Sequence, residues 1–178
     1  MEKFLSVLKW ASYAAVFLLT FAFQSAYAGR ITLFGAAPDF LPLLVVCTAF
    51  WEGPRPGAVM GLAAGLLCGS ASNLAALYTP LYFAAGYAVG SASSAHIRTN
   101  FLTVTFSALL VVTVCVFSRA AVAGLLQIRQ EISTLLAGYG GCALFTVLGA
   151  LPLYPLCRAI HRIPDSARRR RSRLRYPL

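Results

Sequence analysis

Acidic residues are scarce in this chain. Its five carboxylates, Glu2, Asp39, Glu52, Glu131 and Asp165, all map to loops or to the ends of hydrophobic runs. The middle of every run is then free of charge, which leaves proton relays, carboxylate pairs and two-metal sites without raw material. Histidine is scarcer still. His96 and His161 sit beside arginines, have no ligand-spaced partner, and read as ordinary interface residues. The five cysteines, Cys47, Cys68, Cys115, Cys142 and Cys157, lack CxxC spacing and each falls within a hydrophobic run. They fit small buried hydrophobes rather than a disulfide framework or a metal site. Ser70 and Ser72 have no histidine nearby in sequence, and no GxSxG or phosphate-binding loop is present. No catalytic residue, metal ligand or cofactor is expected.

What the chain has in abundance is apolar surface. Hydrophobic residues make up 59% of it and charged residues 11%, with a mean hydropathy of +0.75. A soluble domain is about a quarter charged, so this composition implies an integral membrane protein. At about 20 residues per span, the length allows five or six helices in one compact domain and leaves no room for a separate soluble catalytic domain. The net charge of +10 does not read as a nucleic-acid surface, because of where it lies. Six of the 15 basic residues, Arg168, Arg169, Arg170, Arg171, Arg173 and Arg175, are packed into a tail over 164–178. Such a cluster orients a membrane protein and attracts anionic headgroups, at about 1 kcal/mol per charge near the surface.

Four glycines dominate the interior: Gly57, Gly61, Gly65 and Gly69 recur four apart in an otherwise apolar run. Positions four apart share one helix face, so they form a groove that another helix can approach closely. In water each glycine costs a helix about 1 kcal/mol relative to alanine. A bilayer enforces the helix instead, because it offers no water to an unpaired backbone group. Gly86, Gly90 and Ser94 repeat the device in the next span, and the two grooved helices make a natural close hairpin. Packing inside the protein is favoured over a docking face for another protein.

The whole chain reads as a six-helix transmembrane bundle over 1–163, with spans at roughly 8–28, 38–52, 56–74, 79–95, 100–118 and 134–157. Lys3 and Lys9 lead into the first span, which begins at Trp10. Its end, Ala26-Tyr27-Ala28, mimics a signal-peptidase site, but the full-length apolar run favours a retained helix. Pro38 and Asp39 open the second span, proline needing no amide partner and the carboxylate complementing the positive helix end. Glu52 to Gly57 forms a tight turn, and Thr79-Pro80 caps and starts the fourth span. Residues 118–133 read as an interfacial helix or a loop. Pro152 and Pro155 can kink the last turns of the sixth span. Lys3, Lys9, Arg55, Arg98, Arg158, Arg162 and the tail fall on one side, against Arg30, Arg119 and Arg129 on the other. The positive-inside rule then places both termini in the cytoplasm.

Ala37-Pro38-Asp39 before an apolar span, the run Gly57 to Leu66, Tyr87, and the closing Leu151-Pro-Leu-Tyr-Pro-Leu-Cys-Arg158 before a basic tail resemble the bacterial rod shape-determining protein MreD family. The likeness covers nearly the whole chain. Family members commonly carry an acidic residue shortly after the glycine stretch; Cys68 to Ser70 hold none, so no role of that acid carries over. The resemblance implies a non-enzymatic, multi-pass subunit of the bacterial cytoplasmic (inner) membrane. Its partners there are MreC and RodA with its class B penicillin-binding protein, in the cell-elongation machinery of peptidoglycan synthesis. A rival of another class is the substrate-binding subunit of a vitamin-type, energy-coupling factor importer, for which a polar pocket opening outward near Asn73, Tyr78 and Tyr82 would speak. A lipid-handling enzyme ranks lower, for want of a nucleophile and base.

Overall fold

The computed structural model describes residues 2–27, 39–72, 75–94, 100–125 and 132–162, without the side chains of 2, 3, 5, 27, 71, 72, 75, 76, 94, 123 and 132–137. Six helices account for nearly all of it: α1 Glu2–Tyr27, α2 Leu41–Glu52, α3 Pro54–Ser72, α4 Ala75–Ser94, α5 Phe101–Leu125 and α6 Ile132–His161. No strand occurs among the described residues. Three segments are long and apolar enough to cross a membrane, Ser6–Ala26, Phe101–Val122 and Gly138–His161.

The short helix is the centre of the molecule. Every residue of α2 from Leu41 to Phe50 is buried, and α2 packs against each of the other five helices. A helix apolar on all sides must be surrounded. At 1.5 Å per residue its 12 residues reach about 18 Å, well under the roughly 30 Å of a hydrocarbon core. The longer α6 runs past its first end, where Phe40 meets Phe145, and α1 runs past its last, where Glu52 meets Lys9.

The boundaries correct several sequence expectations. Because α1 already begins at Glu2, Lys9 lies two turns inside the helix rather than in a leading segment. The start of α2 is Leu41, with Pro42 in its first turn and Phe40 as N-cap, so Asp39 precedes the helix; Pro38 lies outside the described residues. The fourth helix starts at Ala75, which puts Pro80 inside it instead of at its first position. Pro80 is exposed, so its ring and missing amide face away from the core. Residues 118–125 continue α5 rather than forming a separate interfacial helix, and 126–131 lie outside the described residues.

Gly53 makes the turn between α2 and α3. Its φ of 93° is in the left-handed region, and its amide closes α2 on the Ala49 carbonyl at 3.0 Å. No atom crowds its Cβ position, so the dihedral alone calls for glycine. The buried threonines Thr48 and Thr146 bond within their own helices, to the Leu44 and Val45 carbonyls and to that of Cys142. That satisfies them without water.

Candidate functional site

The glycines of α3 and α4 face one another. A Cβ on Gly57 would lie 2.7 Å from the Gly86 carbonyl oxygen, and one on Gly65 would lie 2.6 Å from that of Tyr78. One on Gly61 would collide with the Tyr82 carbonyl, and one on Gly90 would lie 2.5 Å from the Cα of Pro54. As the α3 positions step up by four, their α4 partners step down by four: this is a single antiparallel register in which backbone rests on backbone. Approach this close brings Cα–H groups against carbonyls, a weak but repeated attraction. Gly69 is buried on the same helix, and the Ser94 side chain lies outside the described residues. These faces are filled by each other, so a partner helix would have to part α3 from α4 to reach them.

A charged cluster holds the end of α2 nearest the termini. The Glu52 carboxylate accepts Lys9 Nζ at 2.6 Å and the Tyr13 hydroxyl at 3.1 Å, both from α1, and lies 2.9 Å from His161 Nδ1 of α6. Lys9 is only 1% exposed and the Glu52 side chain 8%. Trp51 packs on the His161 ring at 5.0 Å between centroids. A charge inside an apolar bundle must be paired, and Glu52 thereby ties three helices together. Lys9, expected to lead into the first span, is instead a buried partner within α1, and His161 is a structural partner rather than a plain interface residue.

A second clamp holds the other end. Asp39 accepts the Tyr82 hydroxyl at 3.1 Å through Oδ2 and the Gln24 amide at 3.2 Å through Oδ1. Gln24 Oε1 in turn accepts the Phe40 amide at 3.1 Å. The Leu41 amide and the Arg119 charge also act on the carboxylate. Asp39 thus links α1, α2 and α4 more than it caps a helix. On α1, Lys9 and Gln24 are 15 positions apart; on α2's strand of chain, Asp39 and Glu52 are 13 apart. Antiparallel pairing brings both couples into register. The sequence signal for this was Lys9 and Gln24, the charged and the amide side chain of an apolar first span, at nearly the spacing of the two carboxylates flanking the second.

The aromatic residues near Glu52 also wall an open groove of about 860 Å³, lined by Trp51, Asn100, Phe101, Leu102, Tyr154, Arg158, His161 and Arg162. Of the residues considered for an outward pocket, Tyr78 and Tyr82 are buried and stack on each other at 5.9 Å between centroids. Asn73, His96 and the arginine tail lie outside the described residues. All five cysteines are free thiols, with Cys47, Cys115 and Cys157 buried. Among the described residues, no three His, Cys, Asp or Glu side chains converge as a metal site would require. No family model, curated protein or solved structure matches the chain.

Proposed function

We propose that this chain is a non-enzymatic scaffold of the bacterial cell-elongation machinery, of the MreD kind. In this reading it is a six-span protein of the cytoplasmic membrane with both termini inside, and it binds MreC and RodA with its class B penicillin-binding protein. One observation carries the reading: two of the motifs behind the resemblance meet in three dimensions. Asp39 of Ala37-Pro38-Asp39 bonds to Tyr82, and Tyr82 is the residue whose backbone Gly61 touches. The closing Leu151 to Arg158 stretch supplies Tyr154 and Arg158 to the groove at the opposite end. Rigid packing of this kind, with two carboxylates spent on holding helices, suits a protein that positions others.

The glycine faces are occupied within the chain, so partner helices belong on outer faces. The most open is that of α1, which among the described residues packs only on α2 and α6 and exposes Phe4, Val7, Leu8, Leu18, Leu19 and Phe23. Close packing of side chains, and not hydrophobicity, drives helix association in lipid. The test is a mild-detergent pulldown of the tagged chain from its own host, analysed by mass spectrometry for proteins and small molecules. Recovery of MreC or the wall-synthesis enzymes supports the reading. Recovery of an ATPase and coupling subunit, or of a stoichiometric vitamin-like ligand, assigns an importer component and overturns it.

A further inference from the structure

The groove at the α2, α5 and α6 ends combines three features that belong together on a particular kind of ligand. Its floor and one wall are aromatic: Trp51 and Tyr154 pack at 6.1 Å between centroids, and Phe101 meets Tyr154 edge-on at 5.5 Å. Its rim is basic. Arg158 and Arg162 both line it, and neither has an ion-pair partner among the described residues. Glu52 at the inner end of the groove is engaged by Lys9, Tyr13 and His161, so among the described residues it leaves the two guanidinium charges to other ligands. The groove also opens on the start of α5 at Phe101 and Leu102, where first-turn amides have no acceptor within the helix.

The third feature is a track leading away from this rim. Leu102 is both a wall of the groove and the first rung of an exposed apolar stripe on α5, continued by Phe106, Leu110, Val114 and Phe117 at helical spacing. Guanidinium groups grip phosphate oxygens through paired hydrogen bonds, and tryptophan and tyrosine favour the depth where headgroup meets acyl chain. We infer that the groove is a specific site for one phosphate-bearing membrane lipid. The anionic headgroup sits between Arg158 and Arg162 against the start of α5, and an acyl chain runs along the Leu102 to Phe117 stripe. The site rests on Arg158 and Arg162 of α6 and stands whichever partners the chain has.

The full-length chain, purified in mild detergent and delipidated, is offered phosphatidylglycerol, phosphatidylcholine or inorganic phosphate. Bound lipid is read by native mass spectrometry, and a photoactivatable phosphatidylglycerol reports where it crosslinks. The expected result is retention of phosphatidylglycerol over phosphatidylcholine, with crosslinks on the peptides holding Leu102 and Tyr154. Replacing both arginines, Arg158→Gln with Arg162→Gln, should lower retention roughly thirtyfold, as two charges near an anionic headgroup imply. The Arg158→Lys, Arg162→Lys pair should keep most of it, as should Arg55→Gln, an exposed arginine outside the groove. Undiminished retention by the double glutamine variant, equal retention of both lipids, or crosslinks confined to the tail overturns the site. Displacement of the lipid by inorganic phosphate would reassign it to a soluble phosphate and overturn the lipid. If the glutamine variant does not fold, the crosslink map of the unaltered protein decides alone.

Discussion

Adding one methyl group should have opposite effects at two glycines of this protein, and the structure sets the sign of each. At Gly61 a Cβ would run into the Tyr82 carbonyl oxygen, with the carbonyl carbon at 2.8 Å and the Phe83 nitrogen at 3.2 Å. All three obstacles are backbone, so no side-chain rotation relieves them. Ordinary carbon contacts begin near 3.5 Å, so α3 and α4 must part locally by about an ångström. Overpacking of this kind costs about 1–3 kcal/mol, and each lost Cα–H···O contact about 0.5–1 kcal/mol more. Against this, alanine gains about 1 kcal/mol over glycine as a helix former. Gly61→Ala should therefore be destabilising by about 1–3 kcal/mol. At Gly140, exposed inside α6, nothing lies within 4 Å of the added Cβ. Only the propensity gain remains, and Gly140→Ala should be neutral to about 1 kcal/mol stabilising. Reversible unfolding in mixed detergent micelles, followed by circular dichroism, measures both. Equal effects of one sign, or a Gly61→Ala variant as stable as the parent, would refute the account of the α3–α4 contact.

The Glu52 cluster predicts strong coupling. Glu52→Gln or Lys9→Met alone should cost about 3–5 kcal/mol by stranding a buried charge, and the double variant should recover at least about 2 kcal/mol of the summed loss; strictly additive costs in the same unfolding assay would show that the pair does not interact. At the other clamp, Tyr82→Phe should cost about 1–2 kcal/mol. The same change should cost clearly less when Asp39 is already Asn, and an undiminished cost in that background would dissociate the two residues. Gly61→Leu goes beyond what local separation can absorb, and size-exclusion chromatography should show no folded hairpin-containing species.

The glycine ladders were legible because they are a local property. Helix geometry converts a spacing of four into a face, and two such faces joined by a loop of a few residues have little choice but to meet. The apolar character of the spans was legible for the same reason, as was a turn after Glu52, although it takes Gly53 alone and α3 begins at Pro54 rather than at Pro56. The start of α4 was misread, because Thr79-Pro80 has the local form of a helix start while burial of Tyr78 and Tyr82 against α3 and Asp39 favours continuing the helix back to Ala75. The Glu52 cluster was not legible in the same way. Its members are 43 and 109 positions apart, and nothing in a linear chain says which polar groups will share a depth.

The sequence by itself determined that the chain is helical and membrane-like, that small residues stripe α3 and α4, and that charge is rationed to few positions. Each of these follows from composition or from the fixed pitch of a helix. Only the tertiary structure decided that the short α2 is the centre and that Lys9 is buried. It alone joined α2's flanking carboxylates to α1, α4 and α6, and gathered Trp51, Tyr154, Arg158 and Arg162 around one groove. Those outcomes depend on relative depth and rotation of helices, which are set when apolar faces compete for partners and every buried charge must find one.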